Sequence, residues 1–168
     1  MKKCLLILGL LAVCGIANAA DNTTMNVNAK VVGSALEVNT TAVNFGEIAI
    51  DARKDAPVSE GKVSVSGDAG RVVKVQIFDT YGGLAGNGGS TVKLTNPNTD
   101  SWRALEYTPK FTVNGIQMSA QELQDTGITL GGDGTKDINV AGSLYAPNTV
   151  IVGDYSAQMT IKVAYKLH

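Results

Sequence analysis

The last stretch of the chain alternates strictly between apolar and polar positions. Every odd-numbered residue in it is apolar, in the order Tyr155, Ala157, Met159, Ile161, Val163, Tyr165 and Leu167. A period of two is typical of a β-strand with one face in a core and the other in water. The pattern runs beyond the usual strand length of about 5–6 residues. It therefore predicts a long amphipathic strand, and such a strand needs a neighbour on each edge.

A second alternating segment lies near the start of the chain. Its apolar positions, separated by Asn26, Asn28 and Lys30, are Met25, Val27, Ala29 and Val31. Gly33 and Ser34 then interrupt the pattern. We therefore expect residues 20–33 to form an N-terminal arm with one short amphipathic strand, and residues 34–168 to form the main domain.

Between these segments, short alternating runs are separated by turn residues. Lys62–Ser66 and Val72–Phe78 flank a turn with two glycines, which predicts a β-hairpin. Asn114-Gly115 predicts a second hairpin, because both residues tolerate the positive φ of a type I′ turn. Pro109 interrupts an apolar run and indicates an edge strand or a bulge.

Only one segment carries a helix signal. Ser119, with Glu122 three residues later, has the pattern of a capping box. Many short strands and almost no helix predict an all-β fold, a β-sandwich.

Residues 1–19 have the features of a secretory signal peptide. Lys2 and Lys3 precede an apolar run, and Ala17-Asn18-Ala19 places small residues where signal peptidase cleaves. A lipoprotein signal at Leu11–Cys14 is the alternative. Both cysteines, Cys4 and Cys14, lie in this segment, so the exported domain is expected to fold without a disulfide.

Charge and residue types give little support to catalysis or to nucleic-acid binding. The chain has 14 basic and 15 acidic residues, so no basic surface for nucleic acid is expected. Its one histidine, His168, is a poor candidate for a catalytic base at a chain end. Gly131–Asp137 lacks the acidic spacing of a calcium loop. We therefore expect no enzyme, no metal and no cofactor, with a pair of carboxylates for glycoside hydrolysis left open.

The aromatic residues suggest a different alternative. Trp102, Tyr107, Tyr81 and Tyr145 could line a sugar-binding face, although scattered aromatics in a sandwich are more often core or edge cover. A self-complete secreted or periplasmic binding domain, with carbohydrate as a candidate ligand, is therefore the second functional hypothesis.

The two terminal strands admit two interpretations. They can pair within one chain, as in many closed β-domains. Alternatively, the sandwich lacks one strand, and the arm of another molecule fills the open groove by β-augmentation. Such an interface does not close on itself, so it produces a fibre.

These features together resemble fimbrial (pilus) major-type subunits of the chaperone–usher class, in a branch without cysteines. The resemblance is carried by the signal peptide, the alternating arm, the cysteine-free sandwich, the segment Val43–Ile48 and the ending Gly-x-Tyr-Ser-x-x-Met-Thr-Ile-x-Val-x-Tyr from Gly153. It implies an incomplete immunoglobulin-like fold that a donor strand completes. It also implies a homopolymer with other pilus subunits, a periplasmic chaperone, an outer-membrane usher and a location in a cell-surface fimbrium after transit through the periplasm.

The resemblance also implies roles for particular residues. Met25, Val27, Ala29 and Val31 match the donor strand, and the acceptor groove is matched by Tyr155, Met159, Ile161, Val163 and Tyr165. The function expected is therefore a structural subunit of an adhesive fimbria that polymerises by donor-strand exchange, with a host receptor as a further candidate partner. The chain departs from the family where Lys166-Leu167-His168 follow Tyr165, since an aromatic residue usually lies nearer the C-terminal end.

Overall fold

The computed structural model describes residues 35–86 and 91–167, which form ten β-strands and one helix. The strands are β1 (Glu37–Thr41), β2 (Ala52–Lys54), β3 (Gly61–Ser66), β4 (Val72–Phe78), β5 (Val92–Leu94), β6 (Leu105–Val113), β7 (Ile116–Met118), β8 (Ile128–Thr129), β9 (Thr135–Ala146) and β10 (Thr160–Tyr165). Helix α1 (Ala120–Asp125) lies between β7 and β8. The expected signal peptide and N-terminal arm lie outside the described residues.

The strands form two antiparallel sheets. The larger sheet has the order β1-β3-β9-β6-β5, with β2 paired to β9 and β7 paired to β6. The smaller sheet has the order β10-β4-β8. Side chains alternate between buried and more exposed along β3 and β4, as period-two strands require. The all-β sandwich of two sheets predicted from the sequence is confirmed.

The core lies between the inner faces of the two sheets. Val65 of the larger sheet and Val73, Val75 and Ile77 of the smaller sheet are at most 1% exposed. Phe111 is the largest of the fully buried side chains. Helix α1 adds Leu123, which is completely buried. The core is therefore built from both sheets and the helix.

The hairpin predicted from Lys62–Ser66 and Val72–Phe78 is wrong. β3 pairs with β1 and β9, whereas β4 pairs with β10 and β8, so the turn between them crosses from one sheet to the other. Distant backbone holds this turn, because Gly67 N–H donates to Gly134 O and Gly70 N–H donates to Leu130 O.

The edge-strand interpretation of Pro109 is also wrong, because β6 is an interior strand. Pro109 is paired with Gly142 of β9 on one side. On its other side β5 pairs with Leu105–Tyr107 and β7 with Phe111–Val113, so Pro109 falls between these two ladders. The N–H that proline lacks would point into this gap, where no described strand pairs with β6.

The two remaining local signals are confirmed. Val113 pairs with Ile116 around Asn114 and Gly115, which have φ of 51° and 78° as a type I′ turn requires. Ser119 caps α1 in a reciprocal capping box with Glu122. The backbone N–H of Ser119 donates to the Glu122 carboxylate and holds its pKa below the ordinary value.

Candidate functional site

Among the described strands, β1 is an edge strand of the larger sheet and β10 is an edge strand of the smaller sheet. β1 pairs with β3 alone, and β10 pairs with β4 alone. The two strands run in opposite directions along the sandwich: β1 starts beside Ser66, and β10 ends at Tyr165, close to the adjoining Gly67. Each edge leaves backbone N–H and C=O groups available to a further strand.

An apolar groove of about 850 Å³ lies between these edges. One wall is Val38 and Thr40–Val43, and the opposite wall is Tyr155–Ile161. Its floor is the inner face of the larger sheet, made by Val63, Val92, Leu94, Tyr107 and Val140. Lys62 is the one charged residue among those that line it. The groove is thus a strip of sandwich core that no described strand covers.

The structure places the predicted acceptor residues at different positions. Tyr155, Met159 and Ile161 line the groove, whereas Val163 and Tyr165 lie beyond its lining. All five are half-buried and pack against the core on one face, as their odd-numbered spacing predicts. The predicted donor residues Met25, Val27, Ala29 and Val31 lie outside the described residues.

The alternating C-terminal segment is divided into two parts. Only Thr160–Tyr165 forms the strand β10, so the regular strand is shorter than the sequence pattern. Before it, Ser156 exchanges two backbone hydrogen bonds with Thr95, at 2.9 and 3.0 Å, and so joins the larger sheet next to β5. The segment therefore crosses from one sheet to the other along the groove wall.

The end of β10 is fixed by three groups. The Tyr165 hydroxyl accepts a hydrogen bond from Asp68 N–H at 2.7 Å, and Lys166 N–H donates to Val72 O at 2.9 Å. The Lys166 ammonium donates to Asp125 O and Thr126 O at the C-terminal end of α1. A cation there satisfies free carbonyls and complements the helix dipole. The sequence reasoning missed this role of Lys166, although a basic residue and a helix end are both visible in the sequence.

A second cavity of about 710 Å³ continues from the groove at the end where Tyr155 lies, and we call it the mouth. It lies between the loops Val43–Ile50 and Val150–Tyr155. Groove and mouth share four lining residues: Val43, Phe45, Leu94 and Tyr155. The Tyr155 hydroxyl bonds to both backbone groups of Ile151, at 3.0 and 3.1 Å, which ties the second loop to the groove wall.

The floor of the groove consists of uncharged side chains. Phe45 packs edge-on against Tyr107, with ring centroids 5.4 Å apart. The Tyr107 hydroxyl donates to Ala141 O at 2.6 Å, and burial raises the pKa of Tyr107 above its ordinary value. Such a surface can bind apolar side chains, and it offers no acid or base.

The Asp133 carboxylate in the candidate calcium loop Gly131–Asp137 takes part in local hydrogen bonds. Asp133, in the glycine-rich turn, accepts hydrogen bonds from the N–H and hydroxyl of Thr135, and the backbone bond lowers the pKa of Asp133. Residues 35–86 and 91–167 contain no group of three side chains suited to a metal ion. No helix in this part of the chain is long and apolar enough to cross a bilayer.

The four aromatic residues considered for sugar binding do not share one environment. Tyr107 is buried beneath the groove, whereas Tyr81 and Trp102 are exposed. Arg103 lies over the Trp102 ring at 4.5 Å from its centroid. The Tyr145 hydroxyl donates to Asp51 at 3.1 Å, which raises the pKa of Tyr145.

Neither a protein-family model nor a curated protein matches this sequence. Among solved structures, the chain is similar to that titled "Crystal structure of the P pilus rod subunit PapA". The TM-score is 0.43 and the sequence identity is 13%, over 86% of this chain and 100% of that chain. The function of the present chain therefore has to be inferred from its own groove.

Proposed function

We propose that this protein is a structural subunit of a cell-surface fimbria. In this proposal, the N-terminal arm of one molecule adds a strand to the groove of the next. The observation that carries the proposal is the apolar groove flanked by the free edges of β1 and β10. A single extended strand would pair with these edges and cover the exposed part of the core.

The alternation of the arm matches this role. In an extended strand Met25, Val27, Ala29 and Val31 point to one side, and Asn26, Asn28 and Lys30 to the other. The apolar side would contact the groove floor, and the polar side would face water. Backbone hydrogen bonds to the two edges would supply affinity, and the side-chain pockets would supply specificity.

Polymerisation follows from the geometry of donation. The donated segment and the acceptor groove are different surfaces of one chain, so the interface is heterologous and leaves a free groove at one end and a free arm at the other. A groove of this kind is an aggregation hazard before assembly. The proposal therefore includes export through the periplasm, a chaperone that covers the groove in transit and an outer-membrane usher. It assigns the protein no catalysis and no cofactor, and a host receptor is a further candidate partner.

The arm is tested with a pair of matched variants. Val27→Asp places a charge on the apolar face of the arm and should abolish assembly, because an unpaired buried charge costs several kcal/mol. Asn28→Asp places the same charge on the polar face and should assemble normally. The measurement is the size distribution of the purified exported protein, by light scattering and electron microscopy. Equal polymerisation of both variants would contradict the proposal.

A mixing experiment tests donation between molecules. Val27→Asp leaves the groove intact, and Ile161→Asp damages the groove but leaves the arm intact. Each variant alone should be monomeric. Their mixture should give a one-to-one dimer and no larger species, because only one productive contact remains. Ala164→Asp, on the outward side of β10 and outside the groove lining, is the control for Ile161→Asp and should polymerise.

The same mixture distinguishes the alternative of a self-complete binding domain. In that case the arm acts within its own chain or not at all, and wild-type protein remains a monomer. A stable monomer that binds a carbohydrate and forms no mixed dimer would establish the alternative.

A further inference from the structure

The two ends of the groove have different surfaces. At the mouth end, three large apolar side chains reach the surface: Ile50 is 46% exposed, Ile151 is 42% exposed and Val152 is 89% exposed. All three line the mouth cavity, so they belong to one site, which we call the mouth patch. Exposed apolar residues grouped at one site are characteristic of a contact surface.

The opposite end of the sandwich, which we call the tail, is largely polar. It carries Asp68, Arg71 and Lys166 around the end of β10. Leu167, which directly follows Lys166, is the large apolar side chain beside the end of β10, and it is 87% exposed. β1 also starts at the tail, because Glu37 pairs with Ser66 and Leu36 lies against Gly67.

The covalent chain restricts where a donor molecule can lie. Four residue steps separate Gly33, the last residue of the predicted arm, from Glu37 at the start of β1. Four extended residues span at most about 14 Å. A molecule that donates its arm must therefore hold its own tail close to the acceptor, at the end of the groove from which the arm emerges.

We propose, resting on the proposed function, that the mouth patch of each subunit is the surface on which the tail of the donor subunit packs. The occupant is a second copy of this chain, and Leu167 of that copy contacts Ile50, Ile151 and Val152. The donated arm then emerges from the groove beside Tyr155. The short link makes contact at one end of the groove obligatory, and the mouth is the end that offers apolar surface to bury.

The mixed dimer of Val27→Asp and Ile161→Asp gives an asymmetric test. In that dimer the Val27→Asp chain is the acceptor and uses its mouth patch, whereas the Ile161→Asp chain is the donor and uses its tail. Adding Val152→Asp to the acceptor should weaken the dimer about tenfold or more, since each 1.4 kcal/mol is about a factor of ten. Adding the same substitution to the donor should leave affinity unchanged.

Leu167→Asp should show the reverse asymmetry. It should weaken the dimer when placed in the donor and have no effect in the acceptor. Ile116→Asp in the acceptor is the control, because Ile116 is 69% exposed but does not line the mouth. Both Val152 and Leu167 are almost fully exposed, so folding of these variants is not at risk. If Ile161→Asp fails to fold by circular dichroism, Met159→Asp replaces it as the donor background.

The outcomes separate this inference from the proposed function. If the parent mixture forms no dimer, donation between molecules is wrong, and the proposed contact between the donor tail and the acceptor mouth patch is wrong too. If the parent dimer forms and Val152→Asp in the acceptor binds as tightly as the parent, donation stands and the mouth contact is wrong. An equal loss from Val152→Asp in either chain would also overturn the assignment.

Discussion

Strands β9 and β10 have similar sequence patterns but very different surroundings. β9 is paired along both edges, with β3 and β2 on one side and β6 on the other. β10 is paired with β4 on one edge, and among the described residues its other edge faces the groove. Ile138 of β9 is fully buried, whereas Ile161 of β10 is only half-buried. Alternation thus indicates which face of a strand turns inward, but not how many neighbours the strand has.

The difference gives the two strands different tasks. β9 is the centre of the larger sheet, and its loss would remove the partners of three other strands. β10 contributes one edge of a groove and half-buried side chains whose burial a further strand would complete. Substitutions in β9 should therefore change the stability of each molecule, and substitutions in β10 should mainly change contacts between molecules.

The largest expected effect contrasts Ile138→Asp with Ile161→Asp. A charge at Ile138 has no access to water, and its burial should cost several kcal/mol, a large part of the about 5–15 kcal/mol that stabilises a domain. We expect Ile138→Asp to lose near-UV circular dichroism and cooperative thermal unfolding. Ile161→Asp should keep both, because its charge can reach water through the groove. Similar melting curves for the two variants would show that the strands do not differ as described.

Much of the fold was predictable where the signal is local. The inward faces of β3 and β4, the Asn114-Gly115 turn and the capping box each depend on residues a few positions apart. The hairpin of β3 and β4 was predicted wrongly, because partners from Leu130 to Gly134 decide whether Gly67–Gly70 reverses a strand or changes sheet. The residues adjacent to Gly67–Gly70 in the sequence give no information about those partners.

The candidate site was predictable in part for the same reason. The one-sided spacing of Tyr155, Met159 and Ile161 is visible in the sequence, and the structure places all three along one wall. The opposite wall and the floor come from β1, β3, β5, β6 and β9, which are far apart in the chain. The mouth depends on two loops without periodicity, so no pattern indicated it.

The second prediction concerns the contact between β9 and β6. Gly142 has φ of +133°, and a Cβ there would clash with Thr108 O. Gly142→Ala should therefore lower the free energy of unfolding by about 1–3 kcal/mol, measured by urea denaturation. Gly132→Ala, where a Cβ meets nothing within 4 Å, is the control and should change stability little. Equal stability of the two variants would mean that β9 tolerates a side chain at its close approach to β6.

The third prediction concerns the end of β10. Tyr165→Phe removes the hydroxyl that accepts from Asp68 N–H and should cost about 1 kcal/mol of unfolding free energy. Amide exchange should accelerate in Lys162 and Ala164, which pair with Gln76 and Lys74 of β4, and remain unchanged in Ile138 of β9. Acceleration in both strands would indicate that the two sheets open together and that β10 has no separate stability.

The smallest expected effect is a pH dependence within the well-paired sheet. Asp137 of β9 accepts hydrogen bonds from the Ser64 hydroxyl and the Lys62 ammonium of β3, at 2.7 and 2.9 Å, and these bonds hold the pKa of Asp137 below its ordinary value of 3.8. A carboxyl whose pKa is lower in the folded state stabilises the fold above its unfolded pKa, and the stabilisation is lost as the pH falls through the folded pKa.

Because the pair is half-exposed, Asp137→Asn should cost only about 0.5 kcal/mol at neutral pH. That difference from wild type should persist down to the ordinary aspartate pKa and vanish below the lowered one, as measured by urea denaturation across acidic pH. A difference that stays constant to the lowest pH would show that the Asp137 charge does not link β9 to β3.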